Sequence, residues 1–248
     1  MQTLIVILLA SFSALAQLEP RRIIPNTDTA VVVVHGINPT HQHFDALIER
    51  LASAGASVWY FRYDDGQRLQ KSADRLSVAL RTLPPHPFIW VVAHSLGGLV
   101  ARRAATTLPP SYEVNLVTVA SPFGGYLSAN RAQSPFVRWI GRPFGSRDSH
   151  ADLGTSSSFI TRPGQLPTGV KHFKLETMEA ATPRDKAATC GQQRQQNVDA
   201  GSAEIHALSA GHAAVLWSED LWDALRDWGF PSAGVRTART SRCEGERR

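Results

Sequence analysis

The chain has 248 residues, of which 43% are hydrophobic and 19% charged, a balance that supports one domain with a sizeable core and excludes disorder as its default state. Its formal net charge is +5, and all but four of its 26 basic residues (Lys71, Lys171, Lys174 and Lys186) are arginines spread along the sequence. Without a basic cluster, a zinc-ligand spacing or a nucleic-acid motif, the surplus reads as compositional bias, and no nucleic acid, metal or other cofactor is expected.

Residues 4–16 (LIVILLASFSALA) form an uncharged apolar run that ends in Ala14-Leu15-Ala16. That is the small-x-small pattern of a secretory signal peptide, with cleavage expected after Ala16 and a secreted or periplasmic product. The run is too short to span a bilayer as a helix. In an oxidising compartment Cys190 and Cys243 form either a disulfide or two separate thiols, and the sequence leaves both open.

Short apolar runs then alternate with amphipathic stretches. Residues 30–34 (AVVVV) read as a strand buried on both faces. Residues 41–54 place Phe44, Leu47, Ile48 and Leu51 at helical spacing, and Gly55 ends the helix. A strand is expected over 57–63, a helix over 67–82 stopped by Pro84-Pro85, a strand over 88–93 and a helix over 96–107. Further strands are expected over 114–120, 172–176 and 203–208, and a closing helix over 213–228. This alternation argues for an α/β fold, with a mostly parallel sheet of about six strands and helices on both faces. The domain is expected over 17–230, followed by a loose basic tail over 231–248. Residues 122–170, rich in Gly, Pro and Ser with an apolar piece at 136–140, break the alternation and read as a lid-like insertion or as a segment completing the core.

The strongest chemical signal is Ala93-His94-Ser95-Leu96-Gly97-Gly98, between the apolar run FIWVV and the helical LVARRAA. A sharp strand-to-helix turn needs small residues two before and two after its serine, and Ala93 and Gly97 supply them. An N-cap serine in an ordinary turn is the plainer alternative. A second segment, Val34-His35-Gly36-Ile37-Asn38, follows the first buried strand.

These segments resemble the nucleophile elbow and the oxyanion turn of α/β-hydrolases, especially bacterial lipases and esterases and the GPI-inositol-deacylase-like group. Ala93 stands where glycine is usual. The resemblance covers roughly residues 29–228 and is strong at these two segments. It implies Ser95 as nucleophile and the N–H groups of Ile37 and Leu96 as oxyanion donors, with His35 shaping the turn. It also implies the chain order serine, acid, histidine. His212, in a loop after the last strand and preceded by Gly211, is the candidate base, and His206, mid-strand, is its competitor. Candidate acids after the fifth strand are Glu176, Glu179 and Asp185. Asp185 is favoured because Thr182-Pro183-Arg184-Asp185-Lys186 resembles the family's turn, and Glu179 is the alternative. Ser121-Pro122-Phe123-Gly124-Gly125 resembles a pocket-lining segment of lipases, so Ser121 and Phe123, with His94, are expected in the pocket wall. His41 and His43, at a helix start, read as surface residues, with a metal pair as the alternative.

The expected activity is hydrolysis of a small-molecule or lipid ester through a Ser-His-Asp triad and an acyl-enzyme, with contact to a lipid interface possible. Acyl transfer, thioester or peptide cleavage remain open on the same scaffold, as does a non-catalytic secreted binding module. The sequence does not indicate an oligomeric state.

Overall fold

The computed structural model describes residues 18–37, 41–125, 148–177, 203–208 and 210–231. Residues 1–17, the apolar piece at 136–140, Glu179, Asp185, Cys190, Cys243 and the tail from 232 lie outside the described residues.

Among the described residues a seven-stranded sheet organises the fold, in the order β1-β3-β2-β4-β5-β6-β7. The six expected strands are β2 (Thr29–Val34), β3 (Ser57–Phe61), β4 (Phe88–His94), β5 (Val114–Val119), β6 (Val170–Thr177) and β7 (Ala203–Leu208), all parallel. The seventh, β1 (Leu18–Arg22), pairs antiparallel with β3 at the edge. Its sequence, Leu18-Glu19-Pro20-Arg21-Arg22, has no apolar run for periodicity to detect, and proline is tolerated there because an edge strand has a side free of ladder bonds. Surface ion pairs from β1 to its neighbours, Arg62–Glu19, Arg21–Asp45 and Arg22–Glu49, accompany the pairing.

The continuous apolar run of β2 has a direct explanation. All six of its residues are buried, and alternate side chains enter two different cores. Ala30, Val32 and Val34 meet α2 (Leu69–Arg81) and α3 (Leu96–Ala105) through Leu69, Leu76, Leu80, Leu99 and Val100. Val31 and Val33 meet α1 (His41–Ser53) through Phe44, Leu47, Ile48 and Leu51. The C-terminal helix α6 (Glu219–Asp227) closes that second core with Leu221, Trp222 and Leu225.

Of the two readings open for residues 122–170, a lid or a segment completing the core, the described stretch from 148 fits the second. Its short helices α4 (Asp148–Asp152) and α5 (Ser158–Thr161) bring Leu153, Phe159 and Ile160 into the core beneath α3. Arg102 is buried and donates to the carbonyls of Pro163 and Gly164, while Arg103 donates to the Phe159 carbonyl at 2.9 Å. Asp152 caps α2 from a distance: its Oδ2 accepts from the Leu69 N–H at 2.7 Å and its Oδ1 meets Arg68 at 2.9 Å. The residue at the cap position itself, Arg68, offers no side-chain acceptor. The expected closing helix is broken. Ala214–Trp217 form a 3-10 turn, Ser218 is extended, and its hydroxyl accepts from the Leu221 N–H at 3.2 Å to start α6. Ser218-Glu219-Asp220 is a helix-start signature inside what periodicity reads as one helix.

Candidate active site

The carboxyl ends of β2 and β4 lie side by side where the connections diverge. From β2 the chain turns to β3 on one flank; from β4 it turns to β5 on the other. Such a switch point leaves a crevice between the two strand ends, and both motif segments border it. His35-Gly36-Ile37 follows β2, and Ser95 follows β4.

Ser95 has φ 54° and ψ −124°, backbone angles that a non-glycine residue adopts at a cost of roughly 1–3 kcal/mol. Surrounding bonds hold it there. The Ser95 N–H donates to the Val119 carbonyl at 2.8 Å, extending the β4–β5 ladder, and the Ser95 carbonyl accepts from the Gly98 N–H at 3.0 Å. Three glycines let the segments converge. A Cβ on Gly97 would lie 2.3 Å from the His35 carbonyl oxygen, one on Gly98 would lie 1.9 Å from Ser121 Oγ, and one on Gly36 would lie 3.0 Å from the Ser95 Cβ.

Ser95 sits at the helix-start position of α3 yet makes no side-chain cap bond. Its Oγ lies 3.0 Å from His212 Nε2, within hydrogen-bond reach. His212 is carried on the loop after β7, and the buried Val215 and Leu216 just beyond it anchor that loop in the second core. The other ring nitrogen, Nδ1, is buried. The competitor His206 is turned elsewhere: it faces Glu204 Oε1 at 3.3 Å and packs edge-on to Trp228 at 4.9 Å. Glu176 is half-buried near the end of β6, while Glu179 and Asp185 lie outside the described residues.

His35 is buried and stacked on Tyr63 at 4.2 Å and Tyr60 at 5.6 Å. Its Nδ1 donates to the Gly36 carbonyl at 2.8 Å, since a carbonyl only accepts. Its Nε2 accepts from the Tyr63 N–H at 3.4 Å, and the Tyr63 hydroxyl donates to the His35 carbonyl at 2.8 Å. The ring is therefore neutral, and burial holds its pKa below the ordinary 6.5. In a trans peptide C=O and N–H point opposite ways, so anchoring the Gly36 carbonyl on the ring turns the Ile37 N–H away from it. Leu96 opens α3, so its N–H belongs to the set that a helix leaves without an intrahelical acceptor.

The residues expected in the pocket wall are all buried. His94 lies between Phe44 (ring centroids 6.2 Å apart) and His212 (4.8 Å), and its Nε2 donates to the His212 carbonyl at 2.8 Å. Ser121 packs under Gly98. Phe123 lines a narrow cleft with Leu99, Phe159 and Ile160, between the His172 ring at 5.7 Å and the Lys174 ammonium at 5.2 Å. His172 and Lys174 are buried on the same face of β6, with His172 Nε2 2.9 Å from Thr118 Oγ1. Reading β6 as a plain strand missed these two; the signal was two basic residues alternating inside an apolar strand. Among the described residues no group of three or more His, Cys, Asp and Glu side chains is placed to hold a metal ion. None of the described helices is long and apolar enough to cross a membrane.

Residues 78–158 match a family model described as "Putative serine esterase (DUF676)". Curated proteins gave no match. Among solved structures, the Bacillus licheniformis lipase BlEst2 in its propeptide form superposes with a TM-score of 0.67 at 16% identity, covering 84% of this chain and 52% of that one. The chain thus spans about half the length of that form. Against the mature lipase the TM-score is 0.65 at 15% identity, over 86% of this chain and 96% of that one. The Paleococcus ferrophilus monoacylglycerol lipase gives 0.60 at 18% identity, over 85% and 97%. With its strand order and the serine turn after β4, the chain has the α/β-hydrolase fold, in common with these lipases.

Proposed function

We propose that the protein is a serine hydrolase that cleaves carboxylic esters. The observation that carries this reading is the 3.0 Å approach of Ser95 Oγ to His212 Nε2 in a strained turn where the serine caps nothing. An ordinary N-cap serine would spend its oxygen on α3. The match to a serine esterase model over residues 78–158, which include the turn, and the likeness to lipases support the same chemistry. In this scheme His212 removes the Ser95 proton as the hydroxyl attacks the ester carbonyl. The Ile37 and Leu96 amides stabilise the oxyanion, His212 returns the proton to the leaving alcohol, and water releases the acyl group. The same meeting of serine and histidine argues against a decayed binding module.

The acid that orients His212 is assigned to Asp185, with Glu179 as the alternative; both follow β6 in the chain order that a triad on this fold uses. Asp185→Asn is expected to lower kcat about 10³- to 10⁴-fold and Glu179→Gln to leave it nearly unchanged. The reverse pattern reassigns the acid, and small equal losses remove both. Substrates are assigned to small-molecule or lipid esters. A chain-length series of p-nitrophenyl esters, set beside an emulsified triglyceride, separates an esterase from an enzyme active at an interface. Export is proposed from residues 4–16, and N-terminal sequencing of the mature protein is expected to begin at Gln17. A mature chain that retains Met1 rules it out. The serine mechanism is tested with a fluorophosphonate probe: wild type is expected to label and Ser95→Ala to stay unlabelled, and equal labelling sinks the mechanism.

A further inference from the structure

His94 and Ser95 are neighbours in sequence, and both reach the same residue 117 or more positions away. Ser95 meets the His212 imidazole, and His94 meets the His212 backbone carbonyl. The carbonyl can only accept, so His94 Nε2 carries the proton in that 2.8 Å bond. The His94 ring is itself held, in a T-shaped contact with Phe44 on α1 and with its position at the end of β4 pinned by the β4–β5 ladder. Among the described residues, the loop bearing His212 follows β7, the last strand in the sheet order, which pairs with β6 alone.

We propose that His94 is a positioning residue: its Nε2–H holds the His212 carbonyl and thereby sets the distance and angle at which the imidazole meets Ser95. The proposal rests on the Ser95–His212 reading above. It assigns to the residue before the nucleophile a task on the base rather than on the substrate. A displacement of about 1 Å between reacting groups costs on the order of 10²-fold in rate, so one bond at the root of the base has leverage on turnover.

Side-chain reach separates this role from simple packing. A glutamine amide places an N–H near the imidazole Nε2 position, an asparagine amide falls short at about Nδ1, and phenylalanine fills the volume without donating. The experiment measures kcat and KM on p-nitrophenyl butyrate, the fluorophosphonate labelling rate and Tm for full-length wild type, H94Q, H94N, H94F and S95A. We expect H94N and H94F to lose about 10- to 100-fold in kcat and in labelling rate with KM within about twofold, and H94Q to stay within about threefold of wild type. Equal activity of H94N and wild type overturns the proposal, as does an H94Q loss as large as that of H94F, which is the pattern of packing alone. Should H94F fail to fold, H94Q against H94N decides the matter, because they differ by one methylene. An S95A protein that is inactive beside a fully active H94N rejects the His94 role and leaves the serine mechanism standing. An S95A protein that still labels and turns over rejects both.

Discussion

The two halves of the site are built differently. The serine half sits on β2 and β4 at the centre of the sheet, where a Cβ on Gly97 would collide with the His35 backbone, one on Gly98 with the Ser121 side chain, and one on Gly36 would press on the Ser95 Cβ. The histidine half hangs from the edge strand β7 and is held by Val215, Leu216 and the bond from His94. The first half is positioned by packing of the whole core, which has few alternative arrangements. The second is positioned through a loop beyond the sheet, by contacts that include Val215 and Leu216 in the core and the bond from His94. In such a design Ser95 and its strained backbone are fixed by the core, while the alignment of His212 depends on its loop.

The comparison predicts effects of different size. The largest is on turnover: Ser95→Ala and His212→Ala are each expected to lower kcat by on the order of 10⁴- to 10⁶-fold, and the double variant no further, because the two act as one unit. Losses that multiply in the double variant would show that the halves work independently. Next is Gly97→Ala, whose Cβ would press on the His35 backbone carbonyl, a contact that no side-chain rotation relieves. A loss of about 3 kcal/mol or more, or failure to fold, is expected in denaturant titration. Leu216→Ala, on the histidine side, is expected to cost about 2–4 kcal/mol and to slow fluorophosphonate labelling as the loop loosens. Unchanged labelling would mean that the loop is held by something other than its core contact.

Smaller effects test the support around the serine half. Asp152→Ala removes the cap of α2 and leaves the Leu69 N–H without its acceptor, for an expected loss of about 1–3 kcal/mol; Asp152→Asn keeps an acceptor oxygen and should lose less. The smallest effect is a pH dependence. His35 has its pKa lowered by burial, so below pH 6.5 the unfolded chain takes up a proton that the folded state resists. Stability from this group is complete above 6.5 and falls as pH drops through the window beneath it, by at most about 1.4 kcal/mol per pH unit. Tm of wild type and His35→Gln measured from pH 7.5 to 5 is expected to show a shallower acid slope in the variant, and parallel slopes would refute the assignment.

Much of the serine half could be read from the sequence, because what positions it is local and repetitive. The run before Ser95 and the small residues around it state a strand, a turn and a helix within twenty positions of one another, and the valines of β2 state a strand buried on both faces. The weaker readings fail for definite reasons. β1 is held by its neighbour's open edge rather than by any apolar pattern of its own, so Pro20 and two arginines conceal it. The break at Ser218 was legible as a cap, but helical spacing continues across it and hides the interruption. Asp152 acts on a helix 83 positions away, and no local rule links the two.

By itself the sequence determined the class of fold, the turn that strains Ser95 and the candidacy of His212. Each depends on short-range periodicity or on residue size at a sharp turn. Only the tertiary structure decided that His212 rather than His206 reaches the serine, that residues of the 148–161 stretch enter the core, and that the His94 ring meets the His212 carbonyl. Those choices depend on where the end of β7 falls beside the end of β4, and that distance is set by the packing of the whole sheet.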